Sequence, residues 1–419
     1  MTRKPQLRNL SVMLLAHYYP PEMGGAAARL HGLARWLVRF GHQVTVVAGM
    51  PNYPAGIVPA EYRGRARVCE MIDGVDVLRT WIYASSHQTS LRRLANYFSF
   101  VASAIVGGFT AGRHFDVILA SSPPLFVGLA GWVLARSYRV PWVFDIRDLW
   151  PDVAVEAGEF TPDAALTRWG YRLAQFLYCR ADHITPVTEN KRQKLLTSGV
   201  PSEKLTVVAN GVDIDRLTCS TNGSWRVEFG IQDRFIVVYA GLIGIAQGVE
   251  VAVEAANALR HRPEIHFLIV GDGVRRADIV RRAEKLRLTN ITFLPSQPRE
   301  TIPAILESAD VALVPLKNSQ LADAVPSKLL EAWGCKRPVI LLAGGEAAHL
   351  VNSAQGGVVV PPEEPRCLAD AISSLVANRK ALQDYGQNGY EFVKAHFERE
   401  ALARRMEQVL FKVTGRGRA

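Results

Sequence analysis

The segment Asp323-Ala-Val-Pro-Ser-Lys-Leu-Leu-Glu331 sets two carboxylates eight residues apart, with a loop Pro, a Ser and a Lys between them. A loop that presents backbone N–H groups at a helix start binds anions such as phosphate. A carboxylate further along can accept hydrogen bonds from a ribose diol. These are the parts needed to hold a nucleotide sugar by its pyrophosphate and its ribose. The same residues would serve an N-capped helix with an exposed Glu, so the segment alone leaves both readings open.

Other chemistry-bearing groups recur where short apolar runs end. Pro20-Pro21-Glu22-Met23-Gly24-Gly25 lies between such a run and an amphipathic stretch, and its paired glycines would let backbone approach a ligand. Phe144-Asp145-Ile146-Arg147-Asp148-Leu149-Trp150-Pro151-Asp152 gathers three carboxylates, an Arg and a Trp at the carboxyl end of another. Open α/β sheets place their sites at that edge. Asp145, Trp150 and Asp152 are therefore candidate site residues, although an Arg–Asp pair bracing a loop would look the same. Ser121-Ser122-Pro123-Pro124 and Thr185-Pro186-Val187-Thr188-Glu189-Asn190 fall at the same edge, and Asn210-Gly211-Val212-Asp213 reads as a turn. Further on, Gly241 and Gly244 follow one strand-like run, and Gly271, Asp272 and Gly273 follow the next. No G-x-G-x-x-G opens a helix after a strand, which argues against a dinucleotide cofactor.

The elements that must position these groups alternate regularly. In the first half, strands are predicted at Leu10–Ala16, Gln43–Ala48, Val75–Thr80, Asp116–Ala120, Trp142–Asp145, His183–Pro186 and Leu205–Val208. Helices are predicted at Ala26–Phe40, Leu91–Gly112, Leu125–Tyr138 and Ala164–Arg180. After a polar stretch, Thr-Cys-Ser-Thr-Asn-Gly-Ser, the rhythm restarts at Phe235–Tyr239, Ile265–Val270, Ile291–Leu294, Val311–Pro315, Val339–Leu342 and Gly357–Val360. This is the pattern of α/β units on parallel sheets, and 419 residues exceed what one core usually serves. The expectation is α/β: two doubly wound, Rossmann-like domains facing across a cleft. They are placed at 1–217 and 218–395. A terminal helix at 396–419 is expected to return to the first domain.

The formal charge is +10, and residues 1–113 carry thirteen Lys/Arg against five Asp/Glu. Such asymmetry suits an anionic partner. No nucleic-acid motif accompanies it, so no nucleic acid is expected. The body of the predicted helix at 94–112 approaches the roughly 20 residues of a membrane span. Asn96, Ser99, Ser103 and a glycine pair weigh against a span, whereas Arg92 and Arg93 before it suit a helix lying on anionic lipid. The apolar run Leu10–Ala16 is too short for a signal peptide. Cys69, Cys179, Cys219, Cys335 and Cys367 are scattered without metal or redox spacing, which points to a reducing, cytoplasmic setting.

As an ordered set, PPE-x-GG, GHQVTVVAG, DIRDLWP, NGVD, VGDG and VPSKLLEAWGCKRPVI resemble the family-4 retaining glycosyltransferases of GT-B fold. More narrowly they are similar to the bacterial branch that builds O-antigen and exopolysaccharide, of L-fucosamine-transferase type. The resemblance implies that Glu331 binds the ribose. Asp323 stands where a Glu usually meets the donor sugar. Val325, Pro326 and Ser327 supply backbone for the pyrophosphate with Lys328, and Gly24 and Gly25 pack against the phosphates. It makes 1–217 the acceptor-side domain and 218–395 the nucleotide-sugar domain. It places Gly241, Gly244, Gln247, Gly271 and Asp272 in the donor site, Arg147 and Asp148 beside Asp323 among the catalytic residues, and Asp145, Trp150, Asp152, Arg92 and Arg93 on the acceptor side. The chain departs from the family pattern at Leu242 and Gln247, where the family carries an Arg and a Lys, and at Arg147, where it carries a His. The implied reaction retains anomeric configuration and needs no metal and no cofactor beyond the nucleotide sugar as co-substrate. The expected acceptor is a polyprenyl-diphosphate-linked glycan at the inner face of the cytoplasmic membrane, with loops such as Pro51–Tyr62 and Ala84–Ser90 setting specificity. A non-hydrolysing nucleotide-sugar epimerase and a non-catalytic nucleotide-sugar-binding relative are the rival readings.

Overall fold

A computed structural model describes residues 9–22, 24–53, 55–87, 89–112, 114–156, 160–217, 224–317 and 323–416. The polar stretch at 218–223 and Cys219 lie outside the described residues. The chain divides into two compact units, one running to Asn210 and resuming at Arg399, the other spanning Gly211–Glu398.

The first unit is built on β1 (Ser11–Ala16), β2 (Gln43–Gly49), β3 (Arg67–Ile72), β4 (Val75–Thr80), β5 (Val117–Ser122), β6 (Trp142–Ile146) and β7 (His183–Pro186). They form one sheet in the order β3-β4-β2-β1-β5-β6-β7, parallel except for the β3–β4 hairpin. Strand β1 shows why it reads as an unbroken apolar run. Met13 and Leu15 enter one core, while Val12, Leu14 and Ala16 enter the other, so both faces need apolar side chains. Helices α1 (Gly25–Arg39), α2 (Ser90–Thr110), α3 (Val127–Tyr138), α4 (Asp152–Glu156) and α5 (Ala165–Arg180) follow in chain order. Residues of α2, α3 and α5 fill the core on one face of the sheet. Those of α1 and the terminal helix Arg399–Thr414 fill the other. The terminal helix is fastened there by polar contacts as well: His42 Nε2 lies 2.9 Å from Glu407 Oε1, and Arg399 donates to the Ala28 carbonyl at 3.2 Å.

Two differences from the sequence pattern have physical reasons. Leu205–Val208 runs alongside β7, with Thr206 and Val208 donating to Ile184 and Pro186, yet it forms only an isolated bridge. Pro186 has no N–H with which to complete a ladder. Strand β3 escapes the pattern because it is a half-exposed edge with alternating burial. Its signal is Asp73-Gly74, both at positive φ, the two-residue turn that favours a hairpin.

The second unit contains β8 (Phe235–Ala240), β9 (Ile265–Val270), β10 (Ile291–Leu294), β11 (Val311–Pro315), β12 (Val339–Leu342) and β13 (Gly357–Val360), all parallel in the order β10-β9-β8-β11-β12-β13. In each sheet the direction of winding reverses once, between β1 and β5 and between β8 and β11. The carboxyl ends of those pairs open a crevice that side chains do not have to fill.

Inside the first unit, an ion pair joins α1 to three strand ends. Arg29, 5% exposed, meets the fully buried Asp145 at 2.8 Å. Asp145 also accepts from Ser121 Oγ at 2.8 Å and Thr185 Oγ1 at 3.1 Å, while Arg29 donates to the Val208 carbonyl at 2.7 Å and to that of Ala209. Asp145→Ala leaves a buried guanidinium without its counter-ion. It is expected to cost about 3–5 kcal/mol of unfolding free energy in a denaturant titration, whereas Arg29→Met with Asp145→Leu should cost clearly less.

Candidate donor and acceptor sites

In the second unit the donor candidates gather at the reversal between β8 and β11. The helix Ser327–Gly334 starts after Pro326 with no side chain capping it, so its first N–H groups are available to an anion. The helix is held by Trp333, which is fully buried and donates Nε1–H to the Gly356 carbonyl at 2.8 Å. At its second residue, Lys328 reaches back to the end of β8: a β-carbon on Gly241 would lie 2.3 Å from Lys328 Cε and 2.8 Å from Nζ. Its ammonium stands 5.1 Å from the ring centre of Tyr239, a wholly buried tyrosine whose hydroxyl donates to the Leu242 carbonyl. Burial lowers the Lys328 pKa to about 8, with Glu331 acting in the opposite direction.

Glu331 lies on the same helix, about a quarter exposed, with Oε1 3.7 Å from an Arg299 guanidinium nitrogen. Asp323 is half-buried in a turn ahead of the helix. Val325 packs against the core beneath the helix. The loop after β8 is clamped to the loop after β9: Gly241 N donates to Val270 O at 2.9 Å and Ile243 N to Asp272 O at 2.8 Å. Gly271 takes φ +149°, and a β-carbon there would sit 1.9 Å from the Gly241 carbonyl oxygen. Asp272 is exposed and its carboxylate accepts from Gly273 N at 2.7 Å. Gln247 folds its amide over Gly244. Leu242 is 42% exposed, so the loop itself offers no cation at either position where the family has one. Lys328 brings a cation to that loop from the neighbouring helix.

In the first unit, α1 begins at Gly25 with Gly24 ahead of it, no side-chain cap, and open space within 4 Å of where either β-carbon would be. The loop leading there is pinned from below. Glu22 is buried and accepts from Asn52 N at 2.8 Å, Tyr53 N at 2.9 Å and Tyr19 N at 3.2 Å. Arg79, without exposure, binds Glu70 at 2.7 Å and donates to the carbonyls of Tyr19, Pro20 and Gly49.

The acidic cluster after β6 separates into distinct roles. Asp145 is consumed in the interior by Arg29, Ser121 and Thr185, which removes it from the acceptor side. Arg147 donates Nε–H to the Ser122 carbonyl at 2.9 Å, and burial lowers its pKa against the opposing pull of Asp148 and Asp145. Asp148 is half-buried, and its carboxylate accepts no hydrogen bond among the described residues. Trp150 packs on Phe126 at 5.3 Å, and Asp152 accepts from the Tyr171 hydroxyl at 2.6 Å. Arg92 is exposed near Ser85, and Arg93 is half-buried on the next position of α2.

A cavity of about 580 Å³ opens between the chain after β2 and the chain after β4, lined by Tyr62, Arg63, Arg65, Trp81, Tyr83 and Ser85 among others. Tyr83 is tied to α2 on both its backbone groups, accepting from Asn96 Nδ2 at 2.7 Å and donating to Ser99 Oγ at 2.8 Å. Among the described residues no group of three His, Cys, Asp or Glu stands close enough to hold a metal ion.

Sequence reasoning missed Arg29, Tyr239 and Arg299, and of this cavity's wall it named the loops Pro51–Tyr62 and Ala84–Ser90 but not Arg63, Arg65 or Trp81. For Arg29 a signal existed: it sits in phase with Leu33 and Leu37 on the apolar face of α1. Nothing local marks Arg299 as a neighbour of Glu331.

Residues 24–211 match the Glycosyl transferase 4-like domain, and residues 222–392 match the Glycosyl transferases group 1 domain. The chain belongs to the family-4 glycosyltransferases of GT-B fold. It is similar to WcaI of Escherichia coli K12, a glycosyl transferase assigned by name to colanic acid biosynthesis, at 27% identity over 87% of this chain and 91% of that protein. In fold it is similar to sucrose-phosphate synthase from Thermosynechococcus elongatus, with TM-score 0.76 and 20% identity over 97% of this chain and all of that one. It is likewise similar to Anabaena HepE solved with UDP-glucose, with TM-score 0.72 and 17% identity over 96% of this chain and all of that one.

Three outcomes follow from the geometry around Gly271 and Lys328. Gly271→Ala forces a β-carbon into the Gly241 carbonyl, and calorimetry should show a lowered Tm and a loss of about 3 kcal/mol or more. Lys328 has a folded pKa below its usual 10.5, so its charge is lost as pH rises through about 8. The unfolded chain binds the extra proton between about 8 and 10.5, and this group's contribution to stability rises with pH in that window. Affinity for a nucleoside diphosphate should run the other way, falling as pH is raised from about 7 to about 9, and Lys328→Met should abolish that dependence.

Proposed function

We propose that this chain is a metal-independent, retaining hexosyltransferase that moves a sugar from a nucleotide sugar to a lipid-linked cell-surface glycan of O-antigen, capsule or exopolysaccharide type. The observation that carries the proposal is the meeting of Lys328, the open helix start at Ser327 and Glu331 at the winding reversal of the second sheet. Lys328 and the helix N–H groups from Ser327 bind the diphosphate, and Glu331 holds the ribose. As the bond from the sugar C1 to the diphosphate oxygen lengthens, negative charge accumulates on that oxygen. A preformed cation and helix dipole stabilise this charge without reorganising. Asp323 contacts the donor sugar from the turn before the helix. The acceptor hydroxyl attacks from the face the diphosphate leaves, and a departing phosphate oxygen takes its proton. No redox or metal cofactor is called for by this chemistry.

On the acceptor side, Asp148 is the carboxylate of the cluster left open for substrate, and Arg147 positions it. The cavity carrying Arg63, Arg65, Trp81 and Tyr83 suits an anionic glycan headgroup, with guanidinium groups for phosphate and aromatic faces for sugar rings. A polyprenyl-diphosphate-linked glycan fits that description and places the enzyme at the inner face of the cytoplasmic membrane. The colanic acid assignment of WcaI and the UDP-glucose bound to HepE support the glycan and nucleotide-sugar parts of the reading.

The test is calorimetric titration of the full chain with UDP-, GDP- and dTDP-sugars, beside Glu331→Ala and Lys328→Met. One nucleotide should bind selectively, with each substitution weakening it by about tenfold or more. Turnover of that donor with lipid-linked acceptors should survive EDTA. A chain that binds no nucleotide sugar, or binds it equally well in the variants, is a non-catalytic relative.

A further inference from the structure

We propose that the outer face of the α2, α3 and α5 layer seats the first unit on an anionic lipid bilayer. This rests on the reading of the acceptor as lipid-linked and names the surface that would bring the enzyme to it. Helix α2 has two apolar sides. One is packed so closely that a β-carbon on Gly107 would lie 2.5 Å from Thr80 Cγ2, and one on Gly108 would lie 2.6 Å from Leu134 Cδ1. The other is exposed: Leu91 (78%), Phe98 (41%), Val106 (63%) and Phe109 (49%), with Ala95 and Ala102 between them. These six fall at intervals of four, three, four, four and three residues. At 100° per residue they form a stripe about 80° wide and about 27 Å long.

The stripe continues onto α5. Phe98 contacts Phe126 at 4.6 Å, and Phe126 stacks on Trp169 at 6.1 Å. Trp169 and its neighbour Leu166 are themselves 42% and 37% exposed. Charge selects the occupant. Helices α2, α3 and α5 contain no Asp or Glu, and they carry two, one and three arginines respectively. Arg92, Arg168 and Arg172 are exposed beside the apolar groups. A second copy of this face would set arginine against arginine, whereas anionic headgroups neutralise them over an apolar interior. No helix among the described residues is long and apolar enough to cross a membrane. The glycine-docked side of α2 also fixes it to the fold, so contact is made through the stripe alone.

The experiment is co-sedimentation of the full chain with phosphatidylcholine vesicles with and without phosphatidylglycerol, over a salt series. The wild type should sediment with the anionic vesicles. Leu91→Gln with Val106→Gln and Phe109→Gln should weaken this by about tenfold or more at unchanged Tm and nucleotide-sugar affinity. Arg168→Gln with Arg172→Gln, which leaves the stripe intact, should weaken binding chiefly at low salt. Wild-type protein that ignores the anionic lipid, or a triple variant that binds as tightly, overturns the proposal. So does a wild-type dimer that the triple variant converts to monomer, since that makes the face an interface between copies. If vesicle binding behaves as expected yet no lipid-linked glycan is extended, the docking surface stands and the acceptor reading fails. If lipid-linked glycan is extended in detergent while vesicles go unbound, the reverse holds.

Discussion

At the end of β8 the carbonyl oxygen of Gly241 occupies the place a β-carbon on Gly271 would need, 1.9 Å away. That approach lets the loops after β8 and β9 bond to each other through Gly241, Ile243 and Asp272 instead of to solvent. It also keeps the end of β8 bare, and Lys328 lies in the space a side chain at 241 would fill. The amine is thus drawn out of water against Tyr239 and becomes easier to neutralise than an exposed lysine. A loop without basic residues at 242 and 247 acquires a cation from a helix some ninety residues further along, and the candidate donor site draws its positive charge from that neighbouring element.

The first unit solves a different problem. Its site loops leave the carboxyl edge of the sheet and need support from beneath, where polar groups are costly unless satisfied. Arg29 and Asp145 join α1 to the ends of β5, β6 and β7 through one buried network, and Arg79 and Glu22 do the same for the loop ahead of α1. These residues resemble a catalytic cluster in composition because both uses call for charge at strand ends. What separates them is saturation: the oxygens of Asp145 are engaged on several sides, whereas Asp148, three residues on, accepts no hydrogen bond among the described residues.

The two faces of that first sheet are covered by helices of unlike character. Toward α1 and the terminal helix, acid–base contacts such as His42 with Glu407 close the surface. Toward α2, α3 and α5 the helices themselves carry arginines and no Asp or Glu, and apolar side chains reach solvent. An anionic, apolar phase outside the protein is the partner that the proposed docking surface would need to match that composition.

The sequence by itself determined the two parallel sheets, because strands covered on both faces must be apolar throughout and stand out from amphipathic helices. Six strands of the second unit were legible almost to the residue, as was the motif from Asp323 to Glu331, since local chemistry and spacing carry that information. The β3 hairpin was readable from Asp73-Gly74 but hidden by its half-exposed strand, and Leu205–Val208 misled because an extended apolar run beside Pro186 cannot complete a ladder. Only the tertiary structure decided which polar residues are spent inside. Asp145 and Asp148 are alike in sequence, and partners at 29, 121 and 185 tell them apart. It decided equally that Lys328 serves the end of β8 and that Arg299 faces Glu331. Hydrogen bonds and close approaches between residues far apart along the chain are fixed by packing, and neither leaves a pattern in the sequence around them.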